Sequence, residues 1–350
     1  MENNFIQPVG LYNFSKEKNE NYYNYKYIKL LNICYMNSSI QCLFHLKKFT
    51  DFILNYECKE NKYLNLVNAT KELLINMIKN QDNLNVENIK NAMGKIDERY
   101  KYNNQEDANE FISNFLNNLL EETSDKNKFV DKNNNIMDKL EKEAYEKFYN
   151  KFYKKKGKSL LLNLFYGNLI TVKYCKNCGL KSSIKFSAYN MLELPIYELS
   201  KNNRYRTSLD IDKILDSYFS DSLIYNEKCE KCYEKKVCKK NYLYSIPNYL
   251  IIFFARTVNY DEYINDDIIY SNRLNLNKYL YNNKNNDKNN YKISSIIYYS
   301  SYGNKIGHYT SLYFYNNKWF YFDDDNFQIF EKLPTNKNGN EIIIFYEKKI

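Results

Sequence analysis

Two C-x2-C pairs constrain this chain more than any other feature: "YCKNCG", with Cys175 and Cys178, and "KCEKCY", with Cys229 and Cys232. A pair of thiolates at this spacing is half of a tetrahedral metal site, and two such pairs supply the four sulfurs of a structural zinc ion. The long stretch between them must therefore leave and return, as at the tip of a long hairpin. Both pairs sit in polar, turn-like sequence. Cys238 lies close enough to act as a substitute ligand. The chain has eight cysteines in 350 residues. In a reducing compartment that count points to metal binding or catalysis rather than a disulfide framework, and Cys42 and Cys58 read as structural.

The hydrophobic fraction of 44% and aromatic fraction of 17% are ample for a large core. The net charge of +9 is almost all lysine, with arginine only at 99, 204, 206, 256 and 273. No helix carries a basic stripe with interleaved aromatics, so nucleic-acid recognition is not expected. The start "MENNFIQPVG" has no basic flank followed by an apolar run, and no window has the apolar length of a membrane span. The expectation is an intracellular monomer, cytoplasmic and/or nuclear.

From residue 30 to 150, "LNLVNATKELLINMIKN", "NNQEDANEFISNFLNNLLEE" and "IMDKLEKEAYEKFYNKFYKKK" predict helices. From about 160 the runs "LITVKY", "YLIIFFA", "ISSIIYYS", "YTSLYFY", "WFYFD" and "EIIIFYE" predict strands. "SKEKNENYYNYKY" near the N-terminus reads as a loop or insertion, and "NKYLYNNKNNDKNNY" as a low-complexity loop.

Cys34 stands apart from the other thiols. In "NICYMNSSIQCLFHL", Met36, Ile40 and Leu43 recur at helical spacing and Asn32 is a candidate N-cap. This amphipathic helix starts beside Cys34, and the positive end of its dipole favours the thiolate. A cysteine nucleophile needs an imidazole, and the chain has two histidines. His45 follows Cys34 by about three helical turns and cannot reach it. His308 remains, in "GHYTSLYFYNNKWFYFDDDNF", which reads as a β-hairpin turning at "NNK". That hairpin returns Asp323 or Asp324 beside His308. Pairing alone cannot choose between them, because a shift of one residue exchanges the faces.

The order and spacing of "NICYMNSSIQCL", "QEDANEF", the two C-x2-C pairs, "MLELPI", "IPNYLIIFFAR", "GHYTSLYF", "WFYFDDDNF" and "IIIFYE" resemble the catalytic domain of ubiquitin-specific proteases. These are papain-like cysteine deubiquitinases. The resemblance runs from about residue 10 to 347 and implies an α+β, papain-like cysteine protease fold. It implies an N-terminal segment over 1–28 and one catalytic domain over 29–347. Within that domain a helical thumb would span about 30–158, zinc-ribbon-bearing fingers 159–245 and a β-rich palm 246–347. It also implies Cys34 as nucleophile, His308 as general base, Asp323 as triad acid and Asp324 as its assistant. Asp107 and Glu110 would grip the arginine-containing tail of ubiquitin, with Gln105 and Tyr309 at the substrate, and Cys175, Cys178, Cys229 and Cys232 would hold Zn2+.

Two departures from the family pattern bear on chemistry. The family usually reads G-L-x-N-x-G-x-T-C, its Asn donating to the oxyanion, whereas "YIKLLNIC" puts Lys29, Leu31 and Ile33 at the Asn, Gly and Thr positions. Either the oxyanion hole is damaged, or Lys29 donates, or "GLYNF" is the displaced start of the box and Asn13 supplies the donor. Upstream of His308, where the family often has another histidine, the chain reads "YYSSYG". The expected activity is hydrolysis after the C-terminal glycine of ubiquitin. The alternatives are a catalytically silent ubiquitin-binding module or a protease for a ubiquitin-like modifier.

Overall fold

The helix Cys34–Phe44 is buried along its whole length, so its environment is a core on every side rather than the amphipathic surface that its apolar spacing suggests. Its polar residues are accommodated by hydrogen bonds: the Ser39 hydroxyl donates to the Tyr35 carbonyl at 2.6 Å, and the Gln41 amide to that of Val9 at 2.7 Å. Asn32 is not its N-cap. That residue has φ +57°, its side chain donates to the Asn103 carbonyl at 2.9 Å, and the N-cap position falls on Ile33.

The computed structural model describes residues 8–18, 25–29, 32–57, 65–130, 138–201, 208–259, 262–281, 289–301, 307–334 and 340–349. Cys58 lies outside these residues. The chain forms two units, one of Met1–Thr123 with Ser294–Phe345, the other of Ser124–Ile293 with Tyr346–Ile350. Among the described residues no helix is long and apolar enough to cross a membrane.

In the first unit the helices Cys34–Phe44, Lys47–Asn55, Asn65–Ile78, Glu87–Ile96 and Ala108–Thr123 accompany a sheet. Its strands lie in the order Asn326–Phe330, Lys318–Asp323, Gly307–Tyr315, Asn290–Ser301 and Asn340–Lys348. Helix Ala108–Thr123 buries Ala108, Phe111, Ile112, Phe115, Leu116, Leu119 and Leu120, the stripe its spacing predicts. The Phe111 ring meets that of Tyr35 edge-on at 5.6 Å, which locks this helix against the one carrying Cys34. Residues Phe14–Lys18 and Tyr25–Lys29 form a hairpin that pairs Phe14 with Lys29. The two ends of this segment therefore lie side by side.

In the second unit strand Gly167–Cys175 lies between Lys181–Tyr189 and Val237–Ser245. Helix Lys139–Lys151 covers these strands, packing Tyr145, Phe148 and Tyr149 on Ile170, Val172, Ile184 and Phe186. Its aromatic stripe faces these strands. Burying each such ring contributes about 1.5–3 kcal/mol. The tract 277–291 is not loop throughout: Asn277–Tyr279 form a 3-10 turn, and the buried Tyr279 donates its hydroxyl to Asp216 at 2.8 Å.

Candidate active site

The hairpin register selects Asp323 over Asp324. Asn316 and Asn317, with φ +46° and +62°, make the two-residue turn, and Ser311 then stands opposite Phe322. Continued by one position past the last pair, that register line puts Thr310 across from Asp323, and His308 shares the face of Thr310 because strand side chains alternate. His308 Nε2 accordingly lies 2.6 Å from Asp323 Oδ1. The Cys34 side chain is hydrogen-bonded to the imidazole as well. That hydrogen bond, together with the Asp323 carboxylate and against partial burial, raises His308 from its ordinary 6.5 to about 9. The imidazolium is thus the favoured form.

Asp324 turns away at φ +53° and plays a different part. Its carboxylate accepts from the side-chain amides of Asn13 and, at 2.9 Å, Asn37, and its carbonyl from the Leu11 N–H at 3.1 Å. Asn37 also donates to Asn13 Oδ1 at 3.0 Å and to the Leu11 carbonyl at 3.2 Å. The segment "GLYN" is therefore stitched to the turn after Asp323 and to the helix one turn beyond Cys34. Loss of water raises the Asp324 carboxyl above its ordinary value, and the Asn37 amide opposes this. Leu31 and the Lys29 side chain lie outside the described residues.

His45 has a purely structural setting. It stacks on Tyr313 with ring centroids 3.4 Å apart, its Nδ1 is 2.7 Å from the Gln41 carbonyl, and burial lowers it to about 4.

The predicted substrate-binding residues are already engaged within the chain. Gln105 forms two hydrogen bonds to the backbone of Gly307. The buried Tyr309 donates its hydroxyl to Asp107 at 3.3 Å, and loss of water there raises the Asp107 carboxyl. Glu110 is ion-paired with Arg99, which also pairs with Asp97 at 2.8 Å.

In the second unit Cys175, Cys178, Cys229 and Cys232 bring their sulfurs within 4.8 Å of one another. Cys175 and Cys232 are 3.6 Å apart, Cys178 and Cys229 3.5 Å. Tetrahedral zinc with Zn–S bonds of about 2.3 Å spaces its sulfurs about 3.8 Å apart, so the donor set fits that ion. These four cysteines form a structural zinc site. Both pairs share one backbone design: the Cys175 N–H donates to the Leu180 carbonyl and the Gly179 N–H to that of Cys175, while Cys229, Glu234 and Tyr233 repeat the same pattern. Cys238 is not a ligand. It is buried within strand Val237–Ser245, opposite Tyr174.

The family model for ubiquitin carboxyl-terminal hydrolase matches residues 26–346. The chain belongs to this family. It is 25% identical over 344 residues to ubiquitin carboxyl-terminal hydrolase Usp2 of Drosophila melanogaster, covering 91% of this chain and 34% of that protein. To the probable ubiquitin carboxyl-terminal hydrolase 4 of Schizosaccharomyces pombe it is 24% identical over 259 residues, covering 67% and 42%. The chain thus spans well under half the length of these relatives. The SAGA Ubp8/Sgf11/Sus1/Sgf73 DUB module bound to ubiquitin aldehyde shares the fold, with a TM-score of 0.68 at 18% identity over 98% of this chain and 70% of that one.

Within a member of this family, two residues of the site escaped sequence reasoning. Asn37 sits three positions after Cys34, and a buried asparagine one helical turn from a nucleophile is the signal that would have found it. Arg99 precedes "QEDANEF" and carries no local signal, since its partner Glu110 is reached only through the fold.

Proposed function

We propose that this protein is a thiol-dependent deubiquitinase that hydrolyses the bond after the C-terminal glycine of ubiquitin. The observation that carries this is the His308 imidazole, held by Asp323 through Nε2 and hydrogen-bonded to the Cys34 side chain, in a chain of this family. With the Cys34 proton held on His308 as an imidazolium, the thiolate attacks the glycyl carbonyl. The leaving amine departs with that proton. Water, giving its proton to His308, then releases the acyl group and restores the thiol. Asn13 supplies the oxyanion donor: Asp324 holds one hydrogen of its amide, which leaves the other for the substrate oxygen. Asp107 and Glu110 face the tail of ubiquitin, with Tyr309 behind Asp107.

On this reading residues 30–158 act as thumb, 159–245 as zinc-bearing fingers and 246–347 as palm. The chain works as a monomer in the cytoplasm or nucleus. Ubiquitin as partner is supported by the ubiquitin aldehyde in the similar DUB module.

The test is intact mass after incubation with ubiquitin carrying a C-terminal propargylamide. One ubiquitin adduct is expected, absent in Cys34→Ala. No adduct on folded, zinc-loaded protein overturns the proposal.

A further inference from the structure

We propose that Gln105 is a positioning residue that fixes the imidazole of His308 by clamping the backbone of Gly307. Its Nε2 donates to the Gly307 carbonyl at 2.5 Å, and its Oε1 accepts from the Gly307 N–H at 3.1 Å. The carbonyl belongs to the peptide unit whose nitrogen is that of His308. Holding this plane therefore holds the Cα–Cβ direction of the histidine.

The fold explains why a side chain is needed here. Strand Gly307–Tyr315 pairs on one flank with Asn290–Ser301, Gly307 opposite Ser301 and His308 opposite Ser300. On the other flank, pairing with Lys318–Asp323 begins only at Ser311 and Phe322. Among the described residues, the first residues of the strand, including His308, have no strand paired with them there. A carboxamide offers one donor and one acceptor in the geometry of a peptide unit, and Gln105 stands in for the missing neighbour. It is well anchored, lying just before helix Ala108–Thr123 with its fully buried Phe111, Ile112 and Phe115.

Gly307 is held on a second side as well. A Cβ at this position would lie 2.3 Å from the Tyr299 ring, so only glycine lets the strand pass that close. The Tyr299 ring in turn lies 4.7 Å from that of Tyr309. Backbone clamped by an amide and ring packed on Cα leave the residue before His308 little freedom. Reacting groups misplaced by about 1 Å lose up to about a hundredfold in rate, which sets the scale of the expected effect.

This rests on the catalytic reading of Cys34 and His308, and the experiment separates the two. The rate of Cys34 alkylation by iodoacetamide, followed by peptide mass across pH, reports the thiolate–imidazolium pair without ubiquitin. It is measured in wild type, His308→Ala, Gln105→Met and Gln105→Leu. The last two fill the volume without hydrogen bonds, and their folding is checked by melting temperature and zinc content. Steady-state kinetics on ubiquitin-amidomethylcoumarin accompany it.

The expected result is that both Gln105 variants move the alkylation profile toward that of His308→Ala. They should lower kcat about tenfold to a hundredfold, with KM within about twofold. A wild-type alkylation profile in the folded Gln105 variants, or a loss confined to KM, overturns the positioning role and makes Gln105 a substrate contact. A profile that His308→Ala leaves unmoved overturns the catalytic pair itself, and the positioning role with it.

Discussion

His308 reaches Asp323 diagonally across the hairpin, Nε2 to Oδ1 at 2.6 Å, while Asp324, the next residue, is bound to Asn13 and Asn37. Adjacent carboxylates thus have separate tasks. Asp323 orients the imidazole and stabilises its charge; Asp324 orients amides. An asparagine at position 323 keeps a hydrogen-bond acceptor for the ring, as in papain-like triads, and an alanine does not. Asp323→Ala should therefore lower kcat/KM on ubiquitin-amidomethylcoumarin about tenfold or more beyond Asp323→Asn. Equal losses would mean that only the charge matters.

The raised pKa of His308 sets a pH signature. Cys34, Asp323 and Asp324 face the ring, and the proton is held until about pH 9 against an ordinary 6.5. With the folded value above the unfolded one, the contribution to stability is fully present below pH 6.5. It declines as pH rises and is gone above about 9. For the same reason kcat/KM should hold to about pH 9 before its alkaline limb, because the leaving amine needs the imidazolium proton. Asp323→Asn removes a carboxylate and should move that limb to lower pH. An alkaline limb near pH 7 in the wild type would contradict this.

Much of the site was legible because it lies in local pattern. Hairpin symmetry brought the "DDD" run to His308, and spacing alone paired the four cysteines. Hairpin pairing alone did not choose Asp323, since the choice depends on a register that one residue of slip would reverse; the family resemblance pointed to it. The role of Asn32 failed because a cap is a matter of backbone angle, and this asparagine adopts a left-handed one. The occupied state of Glu110 is a long-range fact of the fold.

Arg99 on Glu110 presents the carboxylate with the same guanidinium chemistry expected of the substrate tail. Both side chains are close to half exposed, at 46% and 48%, so the pair contributes about 0–1 kcal/mol and can be exchanged. Arg99→Ala should release Glu110 and lower KM for ubiquitin substrates about twofold to fivefold with kcat unchanged. The gain should shrink as salt rises. A raised KM would instead show that Arg99 holds Glu110 ready for substrate.

Zinc removal should act on the second unit. Around the four sulfurs the buried core is small, with Cys175, Cys229 and Val237 packed by Leu180 and Ile224. Without the ion, this small core and the backbone pairing at Cys175–Val237 and Lys176–Lys236 are left to hold the two turns. The purified protein should carry one zinc per chain by elemental analysis. Chelation or Cys232→Ser should lower the melting temperature and open residues 175–237 to limited proteolysis. An unchanged cleavage pattern in metal-free protein would show that the strands alone hold this region.

The repeated backbone of the two cysteine turns makes a sharper prediction. Gly179 and Tyr233 occupy equivalent positions, and both are left-handed, at φ +72° and +57°. A residue with a Cβ is strained there by about 1–2 kcal/mol. At Gly179 a Cβ would meet nothing within 4 Å, so a substitution changes conformational energy and little else. Gly179→Ala should destabilise zinc-loaded protein by about 1–2 kcal/mol in denaturant unfolding. Tyr233 is 75% exposed, so removing its ring loses little packing. Tyr233→Gly should relieve strain, and after the greater freedom of an unfolded glycine is subtracted the net gain is up to about 1 kcal/mol. Opposite signs at two equivalent positions follow only from the shared backbone geometry; a loss of stability in both variants would show that the Tyr233 ring carries contacts outweighing its strain.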